Sequence, residues 1–144
     1  CTDAVIVDKD AGTFWLARRV VEPMNGLWCI GGRRLKGEMP HQGMSRTFHR
    51  ETRLLLAPER FRFRTIVEYM WASRRQAPRA NGSHNLAHQF TVELTHQERL
   101  LAASQLQAAE YDLNFGLQPF DREGLLAQDV HPVILDLYNE VFGR

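Results

Sequence analysis

A chain of 144 residues, 44% hydrophobic and 24% charged with ten Gly and six Pro, has globular composition and room for one core, which excludes collagen-like, low-complexity and disordered readings. Its longest unbroken apolar runs are four residues, as in Ala4 to Val7, whereas a membrane-spanning helix needs about 20. The net charge of +1 conceals an asymmetry: from Arg18 to Arg79 thirteen Arg and one Lys face five acids, a balance of +9 that leaves −8 elsewhere, and this acidic remainder argues against a general nucleic-acid-binding protein.

In chain order, the alternation around Ala4 to Val7, turn chemistry at Asp10-Ala11-Gly12 and a second strand from Phe14 to Arg18 predict a β-hairpin. Pro23, Asn25 and Gly26 break the pattern before a short apolar strand, Leu27 to Ile30, which Gly31-Gly32 ends. Pro40 to about Leu54 is free of internal Pro, has Met44 and Phe48 four apart, and predicts an amphipathic helix. Phe61 to Trp71 and Leu86 to Leu94 read as long strands joined by a loop over Arg74 to Asn85. Thr95 and Glu98 form a capping box for a short helix through Ala103, and further helices are expected at Asp121 to Ala127 and His131 to Phe142. No repeat or linker interrupts the chain, so one α/β or α+β domain over 1–144 is expected.

Of the two cysteines, Cys29 lies between Trp28 and Ile30 and reads as core, so no disulfide framework is implied and a reducing, cytoplasmic setting is expected. The sequence opens with Cys1 rather than Met and runs directly into a strand, so an N-terminal segment is expected to precede it. Sixteen of the eighteen basic residues are Arg, the side chain whose planar fork grips phosphate or carboxylate in two-pronged fashion. A phosphate-bearing ligand is one explanation and ordinary solvated faces are the other.

The stretch richest in chemistry is Gly31-Gly32-Arg33-Arg34-Leu35-Lys36-Gly37-Glu38, followed after seven residues by Arg46-Thr47-Phe48-His49-Arg50-Glu51-Thr52-Arg53-Leu54. Glycines let backbone approach a ligand or ion closely, and peptide carbonyls are hard oxygen ligands. The helix that follows sets Arg46 and Glu51 beside that loop. Arg46, Arg50 and Arg53 also form one cationic stripe, which calls for a nearby anion: Glu38, Glu51, another carboxylate, or a bound phosphate. His84 and His88 share one strand face and could supply a base, although a solvated strand histidine is the commoner case. Trp15, Trp28 and Trp71 read most simply as core, with Trp71, near Arg74-Arg75, the best candidate to stack on a base.

Gly32, Glu38, Arg46, Phe48, Glu51 and Leu54 stand in the register of the Nudix box, and over these 23 residues the chain resembles the Nudix hydrolase superfamily. The resemblance implies an α/β/α sandwich with a mixed β-sheet, a divalent Mg2+ or Mn2+ ion, and hydrolysis of a nucleoside diphosphate linked to another moiety. Thr47 and Arg50 replace family carboxylates, and Arg53 replaces the family glycine. The pared box is most similar to that of the GDP-mannose mannosyl hydrolase branch, which implies sugar and diphosphate contacts from Asp3, Arg18 and Arg33, with Arg50 added on the ligand side. It also implies one ion held by the Gly31 carbonyl and Glu51; the matching late loop, Ala109 to Gly116, contains Glu110, Asp112 and Asn114, of which Asp112 is taken as the further candidate ligand. Glu38 is expected as an accessory acid and Arg46 as a phosphate clamp. That late loop lacks the family's His, which leaves the base unassigned. A small-molecule nucleoside diphosphate partner, no nucleic acid, no membrane and a homodimer complete the expectation; the alternative is a Nudix-like sensor in which Arg50 has closed the metal site.

Overall fold

The structure, a computed structural model, describes residues 1–143. The strands β1 (Thr2–Asp8) and β2 (Thr13–Arg19) form the expected hairpin, closed by an Asp8 carboxylate that accepts from the Ala11 N–H and by Gly12 at φ +64°. The apolar strand expected over Leu27 to Ile30 is instead two short strands, β3 (Gly26–Trp28) and β4 (Ile30–Gly32). β3 pairs with β2 and β4 pairs with β1. The chain therefore changes partner strand at buried Cys29, a switch that hydrophobicity alone does not signal.

Helix α1 (Pro40–Thr52) follows, then β5 (Arg62–Trp71), β6 (Ser83–Glu93), α2 (His96–Ser104), β7 (Leu117–Phe120), α3 (Arg122–Ala127) and α4 (Pro132–Phe142). The seven strands form one mixed sheet whose main order is β3-β2-β1-β6-β5, with β4 on β1 and β7 on β2. β1 and β6 run parallel at its centre, and β1 is a continuous apolar run because both its faces are covered. Ala4 and Ile6 pack with Met44 and Phe48 of α1 and with Ala102 of α2; Val5 and Val7 pack on the other face with Leu125 of α3 and Ile134 and Leu137 of α4. This is the α/β/α sandwich expected.

Local signals hold where they rest on caps. Thr95 accepts from the Glu98 N–H while the Glu98 carboxylate accepts from the Thr95 N–H, and Asp121 and His131 cap α3 and α4. A register shift between Phe63 and Thr65 interrupts the alternation of β5, and Phe63, packed edge-on against the Phe90 ring, stays partly exposed on this outermost strand. Helix α1 ends on Arg53 in the left-handed conformation, φ 61°, where glycine is the usual residue. β7 carried no sequence signal, since Pro119 lies inside it; it is an edge strand, the place where Pro is tolerated.

Candidate active site

The strands β1, β2 and β4, the start of the box loop and the tip of the β5–β6 hairpin surround a cleft of about 270 Å³. Arg19, Arg33, Arg50, Arg74 and Arg75 line it, against Asp3, Glu22 and Glu110. Trp28, Tyr69 and Trp71 form one aromatic wall, with Tyr69 and Trp71 stacked at 5.3 Å and Trp28 edge-on to both. The composition suits an anionic ligand with a flat or ring-shaped apolar part.

Asp3 lies at the buried end of the cleft. Its partner across the β1–β4 pairing is Gly31, where an added Cβ would sit 2.2 Å from the Asp3 Oδ1. Only glycine permits that approach. Gln89 Nε2 donates to Asp3 Oδ2 at 3.3 Å and to the Tyr69 hydroxyl at 2.9 Å. Burial pushes the Asp3 carboxyl up to about 6, against the opposing pull of the Arg19 guanidinium.

Arg19, not Arg18, is the arginine that β2 delivers to this cleft. Arg18 is exposed, outside the cleft, with its guanidinium 4.7 Å above the Phe115 ring. Successive strand side chains point to opposite faces, so an assignment off by one residue selects the wrong arginine. Arg19 Nη2 donates to Glu110 Oε2 at 3.3 Å, while its buried Nε has no partner. Glu110 is likewise the acid that the late loop brings to the wall. The Asp112 carboxylate instead accepts from the Asn114 and Phe115 N–H groups and so builds the turn.

Glu38, expected as an accessory acid, and Arg46, expected as a phosphate clamp, are occupied with each other outside this cleft. Arg46 Nε and Nη2 donate to the two Glu38 oxygens at 2.6 and 3.0 Å, Arg46 Nη2 also reaches the Arg33 carbonyl at 2.8 Å, and the Leu35 N–H donates to Glu38 at 2.8 Å. Chiefly through Arg46, these bonds hold the Glu38 carboxyl down at about 2. The pair fastens the glycine loop to α1. His84 pairs with Glu68 on the outer face, and His88 stands near Phe63, so neither lines the cleft.

Glu51 is 1% exposed and lies behind Arg50. Arg50 Nε and Nη2 both donate to its Oε1, at 2.8 and 2.5 Å. With its amide oriented to face acceptors, Gln107 donates to both Glu51 oxygens at 3.2 Å. Burial raises the Glu51 carboxyl pKa, and Arg50 opposes that rise. Gln107 was not visible as a partner in the sequence; its signal is purely spatial, through a backbone bond to the Glu51 carbonyl at 2.9 Å. Among the described residues no three His, Cys, Asp or Glu side chains gather in a group able to hold a metal ion. A Mg2+ or Mn2+ ion at Glu51 needs oxygen ligands with open lone pairs, and here a guanidinium covers the carboxylate. The donor set does not fit the ion that the Nudix resemblance implies.

Solved structures of other proteins share this architecture. The chain is similar to a MutT Nudix hydrolase from Burkholderia pseudomallei at TM-score 0.67 and 20% identity, covering 96% of this chain and 93% of that one. It is similar to an Ap4A hydrolase from C. elegans at TM-score 0.59 and 14% identity, covering 97% and 93%. Shewanella oneidensis NrtR, solved in complex with a 27mer DNA, aligns at TM-score 0.62 and 18% identity over 96% of this chain and 59% of that one. The sequence matches no family model and no curated relative. The fold is therefore that of Nudix hydrolases, and no described helix is long and apolar enough to cross a membrane.

Proposed function

We propose that the protein is a hydrolase of a nucleoside diphosphate linked to a second moiety, a nucleotide sugar being the best-fitting kind, bound in the arginine-lined cleft as one domain over 1–144. The observation that carries this reading is the opposition of Asp3 to Arg19, Arg33 and Arg50 across one cleft with an aromatic wall. The arginines suit a diphosphate, and Trp71, the partly exposed ring of the wall, offers an apolar face to a base or sugar ring. Asp3 supplies the base that the late loop lacks: a carboxylate titrating at about 6 is ionised at neutral pH and basic enough to take a proton from an attacking water. The water oxygen then bonds to the carbon or phosphorus of the linkage, and the displaced diphosphate oxygen leaves among the guanidinium groups.

A second reading, a sensor that binds such a ligand without cleaving it, draws support from Arg50 seated on Glu51. Product analysis separates the two. Incubation with GDP-mannose and ADP-ribose, followed by chromatography, is expected to release product, with kcat/KM rising as pH increases through about 6 while Asp3 loses its proton. Asp3→Asn should abolish that rise and lower turnover about 100-fold or more. Tight binding with no product from either compound would establish the sensor.

A further inference from the structure

The acid that a cation would need is already served. Residues adjacent on a helix do not face each other, yet the Arg50 guanidinium turns back onto the neighbouring Glu51 with both Nε and Nη2. The room for this is provided elsewhere in the chain. A Cβ on Gly32 would lie 2.5 Å from Arg50 Nη2, so the second glycine of the Gly31-Gly32 pair opens the space that the guanidinium fills. Gln107 steadies the same carboxylate from the other side. Two of the five guanidinium N–H donors are spent on Glu51, which leaves three, and Arg50 lines the cleft with its side chain about half exposed.

We infer that Arg50 is the resident cation of this cleft: anchored on Glu51 and housed over Gly32, it offers its remaining N–H groups to the ligand diphosphate, so that binding needs no divalent metal. The inference deepens the nucleoside diphosphate reading and rests on it for the identity of the anion. It requires no redox or covalent step. A fixed guanidinium supplies positive charge with directed donors, whereas a mobile ion would have to displace it from a buried carboxylate.

The first arm of the test uses Mn2+ alone, followed by electron paramagnetic resonance, and is independent of any nucleotide. Wild-type protein is expected to leave Mn2+ free. The second arm is calorimetric titration with ADP-ribose and GDP-mannose, with EDTA or with Mg2+. Wild-type affinities should agree within about twofold between the two conditions, and Arg50→Ala in EDTA should bind about tenfold or more weakly, the loss expected for hydrogen bonds to a charged group. Gly32→Ala, which pushes the guanidinium aside without deleting it, should show a smaller loss of the same kind. If Arg50→Ala does not fold, the wild-type titrations still decide. One Mn2+ held by wild type and lost in Glu51→Gln would overturn the inference, as would nucleotide binding that appears only with Mg2+. Free Mn2+ with no binding of either nucleotide would uphold the occupied cation position and count against the ligand reading instead.

Discussion

Glu38 and Glu51 each pair with an arginine of the same helix, yet the two pairs sit in opposite electrostatic regimes. Glu38 lies near the surface, accepts from Arg46 and from the Leu35 N–H, and its carboxyl is held down at about 2. Glu51 is buried, and despite two bonds from Arg50 its pKa is raised by the loss of water. A partner in a partly hydrated place lowers the carboxyl; the same partner in a buried place only limits the rise. The first pair therefore behaves as a fastener between loop and helix, and the second as a tensioned site whose charge balance depends on Arg50.

Removing Arg50 should have the largest effect on stability. Arg50→Ala strands a buried carboxylate and is expected to cost about 2 kcal/mol in chemical denaturation, less than a wholly buried pair because the arginine is half in water. Glu51→Gln on that background should recover about half of the loss, since the neutral amide no longer needs a counter-charge. No recovery in the double variant would show that Glu51 is not a stranded charge once Arg50 is gone.

At the surface pair the expected effect is smaller and has a defined sign with pH. Because the folded pKa of Glu38 lies below its ordinary value, its contribution is complete above about 4.5 and disappears as pH falls toward about 2. Arg46→Ala should therefore cost about 1 kcal/mol at pH 7 and nothing near pH 2, so the acid limb of the melting profile becomes shallower. A uniform loss across that range would mean that packing, not charge, carries the Arg46 contribution.

At the end of the same helix the sign reverses. Arg53 holds φ 61°, so Arg53→Gly should stabilise the protein by about 1 kcal/mol by relieving the left-handed strain. Destabilisation on thermal melting would show that the Arg53 side chain makes a contribution larger than its backbone cost.

How far the sequence carried depended on the range of the signal. Caps, hairpin chemistry and the apolar run of β1 are local, and they placed most elements within a residue or two. The split at Cys29 and the pairing of β7 depend on which strand lies alongside, which no local pattern records. At the site, Asp3, Gly31, Arg33 and Arg50 do reach the cleft. Arg18 and Asp112 do not, because a strand reverses faces at every residue and a loop carboxylate can serve its own backbone. Their neighbours Arg19 and Glu110 take those places, and Gln107, remote in sequence, completes the surroundings of Glu51. The spacing that resembles the Nudix box specifies where Glu51 lies, and the cationic stripe already offered it as a partner for Arg50; the structure adds that both Nε and Nη2 turn back onto one buried oxygen.

Glu22, at the mouth of the cleft, accepts from the Ser73 hydroxyl and, at 2.8 Å, from Arg79 Nη2. One carboxylate thus ties the β2–β3 connection to both ends of the hairpin loop that carries Arg74 and Arg75. Two adjacent guanidinium groups repel each other and would spread an untethered loop into solvent. With the tie in place the loop has fewer conformations open to it, so less entropy remains to be lost if an anion enters between its arginines. If the cleft takes an anion as proposed, association should be faster in dilute buffer and slower as salt is added, because five arginines line it against three acids.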